Sequence, residues 1–265
     1  MASIAGGADR QMSVGRVFNR AFGTIGANPV TMFGIAFLFG ALPSLLLGTV
    51  LPSARVPQNA VFTAAWVLSA SGAGLLAVAC TFLAQGALVR VTVAHSEGRR
   101  ASFGEASLAG LRKILPLLVL GILLGLGVMV GLLFLIVPGI ILYLVWSVAT
   151  PALVEERIGI FGAFGRSADL TRGARWSVFG VQLVALLLYW IVAAATGAVM
   201  VMILGVQGMV AAGEGTTVTP LVLLISAVRS TLVLAIIAAI QTSLYVELRD
   251  WKDGPATEAL TAIFD

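Results

Sequence analysis

Residues 114–137, with the sequence ILPLLVLGILLGLGVMVGLLFLIV, contain no charged side chain. An α-helix rises about 1.5 Å per residue, so about 20 residues cross a hydrocarbon core that is about 30 Å thick. This stretch is long enough to do so as one helix. It therefore predicts a membrane-spanning segment.

Five further apolar runs have the same character. They cover residues 30–51, 61–94, 139–154, 176–211 and 220–248. Three of these runs exceed the hydrocarbon thickness, so their helices must tilt, project beyond the headgroups or break at glycine-rich points such as residues 69–74 and 205–208. The run at 139–154 is short, and Pro151 predicts a kink near its end. The chain is thus predicted to be an all-α polytopic membrane protein of about six transmembrane helices.

Composition agrees with this fold class. Of the 265 residues 59% are hydrophobic and only 11% are charged, and the mean hydropathy is +1.05. These values lie far outside those of soluble proteins. The net charge is +4, but the basic residues lie in short segments between apolar runs, which does not indicate nucleic acid as a partner. The lone Cys80 lies inside an apolar run, where a small buried hydrophobe is its expected role.

The distribution of basic residues predicts the orientation. The segments before the first run, between the second and third, between the fourth and fifth, and after the sixth contain most of the 16 Lys and Arg residues. The loops on the opposite side contain Arg55 alone, and Arg229 lies inside the sixth run. Under the positive-inside rule the basic segments, both termini and the short tail 255–265 are cytoplasmic.

Three of the cytoplasmic segments have apolar residues at helical spacing with basic residues between them. They are residues 13–28, 102–113 and 160–171. Each precedes a pair of apolar runs, which predicts three transmembrane hairpins, each preceded by a short amphipathic interfacial helix. The repeats would cover residues 13–95, 102–158 and 160–250 of a single membrane domain, 1–254. The hairpin of the third and fourth runs is predicted to turn at Pro138 and Gly139.

Arg229 is the first candidate for a functional residue. It lies about 14 Å into the sixth run by helical rise, and a charge at that depth is costly. One interpretation is that Arg229 snorkels to the outer phosphates. The other is a buried polar partner such as Gln207 or Glu214.

Amides and glycines within the runs allow two interpretations each. Gln85, Gln182 and Gln241 could line a polar path, although interhelical hydrogen bonds are the more common role of such residues. The spacings Gly121-x-x-x-Gly125 and Gly127-x-x-x-Gly131 allow close helix approach. They favour packing within one chain over a dimer interface.

No residue cluster has the composition of a catalytic, cofactor or metal site. His95 has no second histidine beside it, so no catalytic residue, cofactor or metal is predicted. Glu155 and Glu156 are adjacent and therefore about 100° apart on a helix, which is poor geometry for an acid–base pair. They are expected to pair with cytoplasmic arginines. These arginines are Arg157, Arg166 and Arg172.

Several short motifs resemble a known family. They are PALVEER at 151–157, AFGRSADLTRGARW at 163–176, PGIIL at 138–142, residues 98–106 with Ser102 and Phe103, and LYVELR at 244–249 with Gly254. Together they resemble the family named for the membrane region of some glycerophosphoryl diester phosphodiesterases. The resemblance implies a six-helix protein of the bacterial inner membrane, often without an enzyme domain and of largely unestablished function. The phosphodiesterase chemistry of fused members belongs to a separate soluble barrel rich in His and carboxylates, which this sequence does not contain.

The sequence supports one main hypothesis of function. The chain would be a non-enzymatic membrane protein that organises or binds lipid, a partner membrane protein or a second copy of itself. Aromatic side chains would enter the cytoplasmic leaflet while arginines contact anionic headgroups. These residues are Phe18, Phe22, Phe103, Phe161 and Phe164, with Trp176 at the interface, and Arg16, Arg20, Arg99, Arg100, Arg166 and Arg172.

The alternative is a small transporter or permeation path for a lipid or amphiphile, centred on Arg229 and the buried glutamines. It requires a polar cavity that reaches Arg229 from one side of the bilayer. A membrane-embedded hydrolase that uses Glu155 is a third, weaker hypothesis.

Overall fold

The structure is a computed structural model that describes residues 12–50, 64–213 and 220–254, and these ranges contain helices and no β-strand. The helices are α1 (Val14–Ala27), α2 (Pro29–Ile35), α3 (Leu42–Val50), α4 (Ala64–Ser96), α5 (Phe103–Phe134), α6 (Ile136–Val145), α7 (Ala149–Glu155), α8 (Ile160–Thr171), α9 (Arg175–Gly213) and α10 (Pro220–Asp253). A π-helical segment, Ala36–Ala41, joins α2 to α3.

Six helical stretches within the described residues are long and apolar enough to cross a membrane. They are Pro29–Leu46, Gly74–Ser96, Phe103–Phe134, Ile136–Glu155, Arg175–Gly205 and Pro220–Asp253. Large apolar side chains on their outer faces are open, such as Leu133 at 84% and Met202 at 88% exposure. In water this surface would be unfavourable, whereas lipid covers it at no cost. The predicted all-α class and six apolar spans are confirmed.

Helix α10 occupies the centre of the bundle. Its second half is almost wholly buried, and the largest of its fully buried side chains is Tyr245. Small residues follow one another at helical spacing along its buried face, at Ala227, Thr231, Ala235 and Ala239. Small side chains let neighbouring helix backbones approach closely, and such approach holds helices together in lipid.

The chain is interrupted between α6 and α7, one turn before Pro151, which confirms the predicted kink. A proline has no N–H to donate to the carbonyl four residues earlier, so a helix through Ser147 would lose that bond. Helix α8 supplies partners at the interruption. Its Ser167 hydroxyl donates to the Val145 carbonyl over 2.7 Å and accepts from the Val148 N–H over 3.3 Å.

The two glycine-rich points behave differently. Gly205 has φ +68° inside α9, a left-handed conformation that interrupts the helix where a break was expected. Helix α4 instead passes residues 69–74 without a break, since its bounds are Ala64–Ser96. At about 1.5 Å per residue α4 is about 50 Å long, so it accommodates its length by tilt or projection.

The turn predicted at Pro138 and Gly139 was placed wrongly. The chain reverses at Leu135, which is extended, and Pro138 lies in the first turn of α6. A proline is tolerated there because the first N–H groups of a helix have no partner within it. A Cβ on Gly131 would lie 2.9 Å from the Gly139 Cα, so the two antiparallel helices touch backbone to backbone.

Residues 102–113 were predicted to form a separate interfacial helix, but they are the N-terminal turns of α5. The Ser102 hydroxyl accepts from the Glu105 N–H, which caps the helix. A Cβ on Gly110 would lie 2.4 Å from the Leu83 carbonyl oxygen of α4. This contact packs the segment against α4, and the same helix continues into the apolar part of α5.

Helices α1 and α8 match the other two predicted amphipathic segments in position. Val17 and Ala21 of α1 are completely buried against the bundle, and Phe22 is exposed. Phe18 packs against the core cluster rather than pointing outward. On α8, Ala163 and Leu170 are buried and Phe161 is exposed.

Candidate functional site

Charged side chains are concentrated at one end of the bundle, where α4 and α10 end and α5 and α9 begin. All carboxylates of the described residues there lie within 4.0 Å of an arginine nitrogen. The pairs join Glu247 to Arg16 and Arg20, Asp250 to Arg20, Glu105 and Glu155 to Arg90, Glu97 to Arg99, and Glu156, Asp169 and Asp253 to Arg166. We call this end of the bundle the charged end.

Glu247 of α10 holds α1 in place. Its side chain is only 6% exposed, and Oε1 accepts a hydrogen bond from the Arg16 Nε over 2.6 Å. Arg20, one turn further along α1, lies 3.7 Å from the other oxygen and 3.4 Å from Asp250. A carboxylate so deeply buried is stable only when cations and hydrogen bonds match it.

Arg90 of α4 joins two further helices. It donates to Glu155 of α7 over 3.1 Å and lies 3.6 Å from Glu105 of α5. The Lys113 ammonium of α5 donates to the Leu153 carbonyl over 2.9 Å, close to the end of α7. Helices α4, α5 and α7 are therefore joined through two cations.

Arg166 of α8 connects α7 to the end of α10. It donates to both oxygens of Glu156, over 2.9 and 3.1 Å, and to Asp253. The hydrogen bond to Asp253, followed by that to Glu156, raises the pKa of Arg166 above its ordinary value. Glu156 also accepts from the buried Tyr245 hydroxyl over 2.9 Å. The predicted pairing of Glu156 with Arg166 is confirmed, whereas Glu155 pairs with Arg90 instead of the three arginines named for it.

Arg99 was predicted to contact anionic headgroups, but it pairs with Glu97, two residues away. Arg16, Arg20 and Arg166 carried the same prediction, and the structure pairs them too with carboxylates of this chain. The reason is tertiary, because α1 and α8 pack where α7 and α10 present their carboxylates. Arg172 is different, since it is exposed at the end of α8.

A second group of arginines at the charged end takes no part in the ion pairs among the described residues. All of them are exposed, and we call them the basic surface. They are Arg100, Arg112, Arg157, Arg172 and Arg175. Apolar side chains stand open beside them, with Trp176 87% exposed and Phe161 81% exposed. Basic and aromatic residues at one level are typical of a membrane–water interface.

A polar triad lies deeper in the bundle, on α6, α9 and α10. The Tyr143 hydroxyl donates to Gln182 Oε1 over 3.2 Å, and the amides of Gln182 and Gln241 bond to each other over 3.3 and 3.4 Å. Gln182 is 8% exposed. These two glutamines thus make the interhelical hydrogen bonds that were expected of them, and both also line a cavity.

Two cavities adjoin this triad. The first, of about 180 Å³, lies against the α6–α7 interruption and is lined by Gln85, Trp146, Thr150 and Gln241 among others. The second, of about 400 Å³, lies between α6, α9 and α10. Tyr143 and Gln241 line both, so the triad separates them. Neither cavity has a charged residue in its lining.

Arg229 is remote from these features. It is exposed on α10, twelve residues or about 18 Å from Gln241 by helical rise, and it lines neither cavity. Its suggested partner Glu214 lies outside the described residues, and Gln207 is on α9 at a position whose side chain is not described. The geometry agrees with an arginine that snorkels from the bundle surface.

Two other predictions concern groups inside the chain. Gly121 faces Phe82, Gly127 faces Trp146 and Gly131 faces Gly139, so these glycines pack within the chain as expected. Within the described ranges no three His, Cys, Asp or Glu side chains are grouped so that they could hold a metal ion.

Three residues of the site were not predicted from the sequence, namely Arg90, Tyr143 and Glu247. Arg90 and Glu247 stand at the ends of apolar runs, where a charge facing the bundle needs a partner, and this was the available signal. Tyr143 is the only hydrogen-bonding side chain of α6, and its partners on α9 and α10 could not be read from the sequence.

The fold and the charged end define a polytopic helical membrane protein with an ion-paired end and an exposed basic surface. The chain belongs to the family described as a domain of unknown function, DUF7847, whose model matches residues 12–248. No curated protein and no solved structure matches it.

Proposed function

We propose that the chain is a non-enzymatic integral membrane protein whose charged end binds anionic lipid headgroups and thereby organises lipid, or a partner membrane protein, around it. The observation that supports this function is the balance of charge. The carboxylates of the described residues are matched by arginines of the same chain, whereas the basic surface is not matched. Anionic headgroups supply the missing charge, at about 1 kcal/mol per basic residue near the surface.

The proposed setting is the bacterial inner membrane, with both termini and the charged end in the cytoplasm. The positive-inside rule supports this orientation, because the basic segments meet at one end of the bundle. The three-hairpin arrangement, with the amphipathic helices α1 and α8 at the start of the first and third hairpins, belongs to the same proposal. It is supported by α1 and α8, whose outer faces expose Phe22 and Phe161. The resemblance to the membrane region of glycerophosphoryl diester phosphodiesterases stays a prediction.

The two cavities described above do not support the transporter alternative, because Arg229 is in the lining of neither. The absence of enzymatic activity is likewise part of the proposal. It is supported by Glu155 and Glu156, which are engaged with Arg90 and Arg166 rather than with each other.

The proposal is tested by replacing four members of the basic surface, Arg112, Arg157, Arg172 and Arg175, with Gln in the full chain. Native mass spectrometry in mild detergent then compares retention of phosphatidylglycerol with that of phosphatidylcholine of the same acyl chains. Loss of four charges is expected to reduce the preference for the anionic lipid at least tenfold, at about 1 kcal/mol per charge.

The matched control replaces the same four arginines with Lys, which keeps the charge and removes the guanidinium geometry. It is expected to retain most of the preference, because attraction to a headgroup layer depends mainly on charge. Equal retention of phosphatidylglycerol by the Gln and Lys variants would contradict the proposal.

A further inference from the structure

The second cavity differs in kind from the basic surface. It lies inside the apolar part of the bundle, it has no charged lining residue, and its volume is about 400 Å³. A pocket of that size is within the range that holds small ligands. Its polar groups are limited to Tyr143, Gln182, Tyr189 and Gln241.

The cavity opens sideways to the surroundings of the bundle. Ile140 of α6 and Phe179, Leu183 and Leu186 of α9 form its wall and are also exposed on the outer surface. These residues belong to apolar spans, so what lies outside them is lipid. A ligand that enters here comes from the bilayer, not from water.

The polar triad retains hydrogen-bonding capacity at the edge of this cavity. Gln182 and Gln241 each use one amide N–H in their mutual pair, and a primary amide has two. The Tyr143 oxygen donates to Gln182 and also bonds to the Gln241 amide, so it keeps one lone pair as an acceptor, and Gln182 keeps its second N–H. The triad can therefore form a hydrogen bond to a carbonyl or hydroxyl group of a ligand. It offers no charged side chain to an ionised group.

The shape of the cavity also sets the direction in which a bound ligand would lie. Gln182 lies seven residues, or about 10 Å, from the start of α9 at the charged end, and the wall continues to Tyr189, about 10 Å deeper. The polar end of the ligand would face the charged end, and its apolar chain would extend along Leu186 toward the bilayer centre.

We infer that the second cavity binds a neutral membrane lipid of the glyceride type. One acyl chain lies between α6 and α9, and an ester carbonyl or hydroxyl bonds to the Tyr143–Gln182–Gln241 triad. The site stands whether or not the basic surface binds anionic headgroups, because it lacks charge and lies below that surface.

The direct test uses the unaltered full chain in phosphatidylcholine vesicles with a diacylglycerol that carries a photoreactive diazirine on one acyl chain. Crosslinks are expected on the wall residues of α6 and α9, such as Leu186 and Tyr189. An excess of unlabelled dioleoylglycerol is expected to remove them. Crosslinks spread evenly over the exposed apolar surface, including Leu133 and Met202, would overturn the inference.

Competition by phosphatidylglycerol of the same acyl chains separates this site from the basic surface. It is expected to reduce crosslinking much less than dioleoylglycerol does, since the triad offers no cation. Competition by phosphatidylglycerol equal to that of dioleoylglycerol would overturn the assignment of a neutral ligand, while leaving the proposed function of the basic surface untouched.

Variants test the two parts of the site. Leu186→Trp fills the cavity and is expected to lower crosslinking at least tenfold. The matched control is Leu187→Trp, because Leu187 is exposed but does not line the cavity. Gln182→Leu removes the amide and is expected to lower crosslinking about fivefold, as loss of one hydrogen bond does. Equal crosslinking in Leu186→Trp and Leu187→Trp would contradict the site.

Discussion

Glu247 shows at the scale of one residue how the bundle tolerates charge. The carboxylate is almost completely buried, and two arginines of α1 approach it from a position more than two hundred residues earlier in the chain. The energy of such a pair depends on both partners, because a charge left alone in a buried place retains its full desolvation penalty.

Glu247→Gln keeps the shape of the side chain and removes its charge. We expect the free energy of unfolding to fall by about 2 kcal/mol, because Arg20 loses one of its two carboxylates and Arg16 loses a short hydrogen bond. Arg16 is half exposed and water screens part of the effect, so a larger loss is not expected. The measurement is thermal unfolding of the full chain in detergent.

The control is Glu97→Gln, which removes an equally short but exposed ion pair to Arg99. Exposed pairs contribute about 0–1 kcal/mol, so the melting temperature should change little. If both variants lowered the melting temperature by the same amount, burial would not be what makes Glu247 important.

At this scale the sequence was informative over short separations and uninformative over long ones. Glu156 and Arg166 are 10 residues apart, and their pairing was predicted. Arg90 and Glu155 are separated by 65 residues, and Arg16 and Glu247 by 231. Nothing local in the sequence indicates which distant helix ends will meet.

At the scale of the element, glycines decide how closely α4 and α5 approach. A Cβ on Gly110 would lie 2.4 Å from the Leu83 carbonyl oxygen and 2.9 Å from the Ala87 nitrogen, both in the backbone of α4. Backbone cannot move aside as a flexible side chain can. The contact therefore requires a residue without a side chain.

Gly110→Ala is expected to destabilise the protein by about 1–3 kcal/mol, which is typical of an overpacked interface. Gly125→Ala, in the same helix, meets nothing within 4 Å and is expected to be neutral or slightly stabilising, because alanine is the better helix former. Comparison of the two melting temperatures in detergent tests the contact. A Gly125→Ala variant as unstable as Gly110→Ala would mean that the close contact with α4 is not what destabilises Gly110→Ala.

The interruption between α6 and α7 is an element-scale feature that sequence predicted and tertiary structure completed. A proline in a helix interior removes one helical hydrogen bond, so Pro151 predicts a break in the helix. The resulting break between α6 and α7 frees the Val145 carbonyl and the Val148 N–H, and both bond to Ser167, which comes from a different helix. In a hydrocarbon environment such partners are needed, because no water is present to replace them.

At the scale of the whole molecule, the charged end supports the proposed orientation in the membrane. With Cys80 replaced by Ala, single cysteines at Glu97 and Asp169 are expected to react with a membrane-impermeant maleimide only after the cells are permeabilised. A cysteine at Leu135, at the opposite end of α5, is expected to react in intact cells. Glu97 and Asp169 leave every basic residue in place, so the positive-inside signal is unchanged.

Labelling of the cysteines at Glu97 and Asp169 from outside intact cells would reverse the proposed orientation. It would also remove the cytoplasmic leaflet as the source of the anionic lipids. The neutral-lipid site would remain, because the second cavity opens laterally between α6 and α9 in either orientation of the chain.

The sequence by itself determined the class of this protein, its six apolar spans, the kink at Pro151 and the charge asymmetry between the two sides. These follow from periodicities and compositions that act over a few turns of helix and from the energetic cost of polar groups in lipid. Only the tertiary structure decided which arginines are matched and which stay exposed, that Arg229 lies on the surface, and that Tyr143, Gln182 and Gln241 meet beside a cavity. Those outcomes depend on how helices far apart in the chain pack together. Because the apolar segments have similar compositions, the sequence does not indicate which helix packs against which.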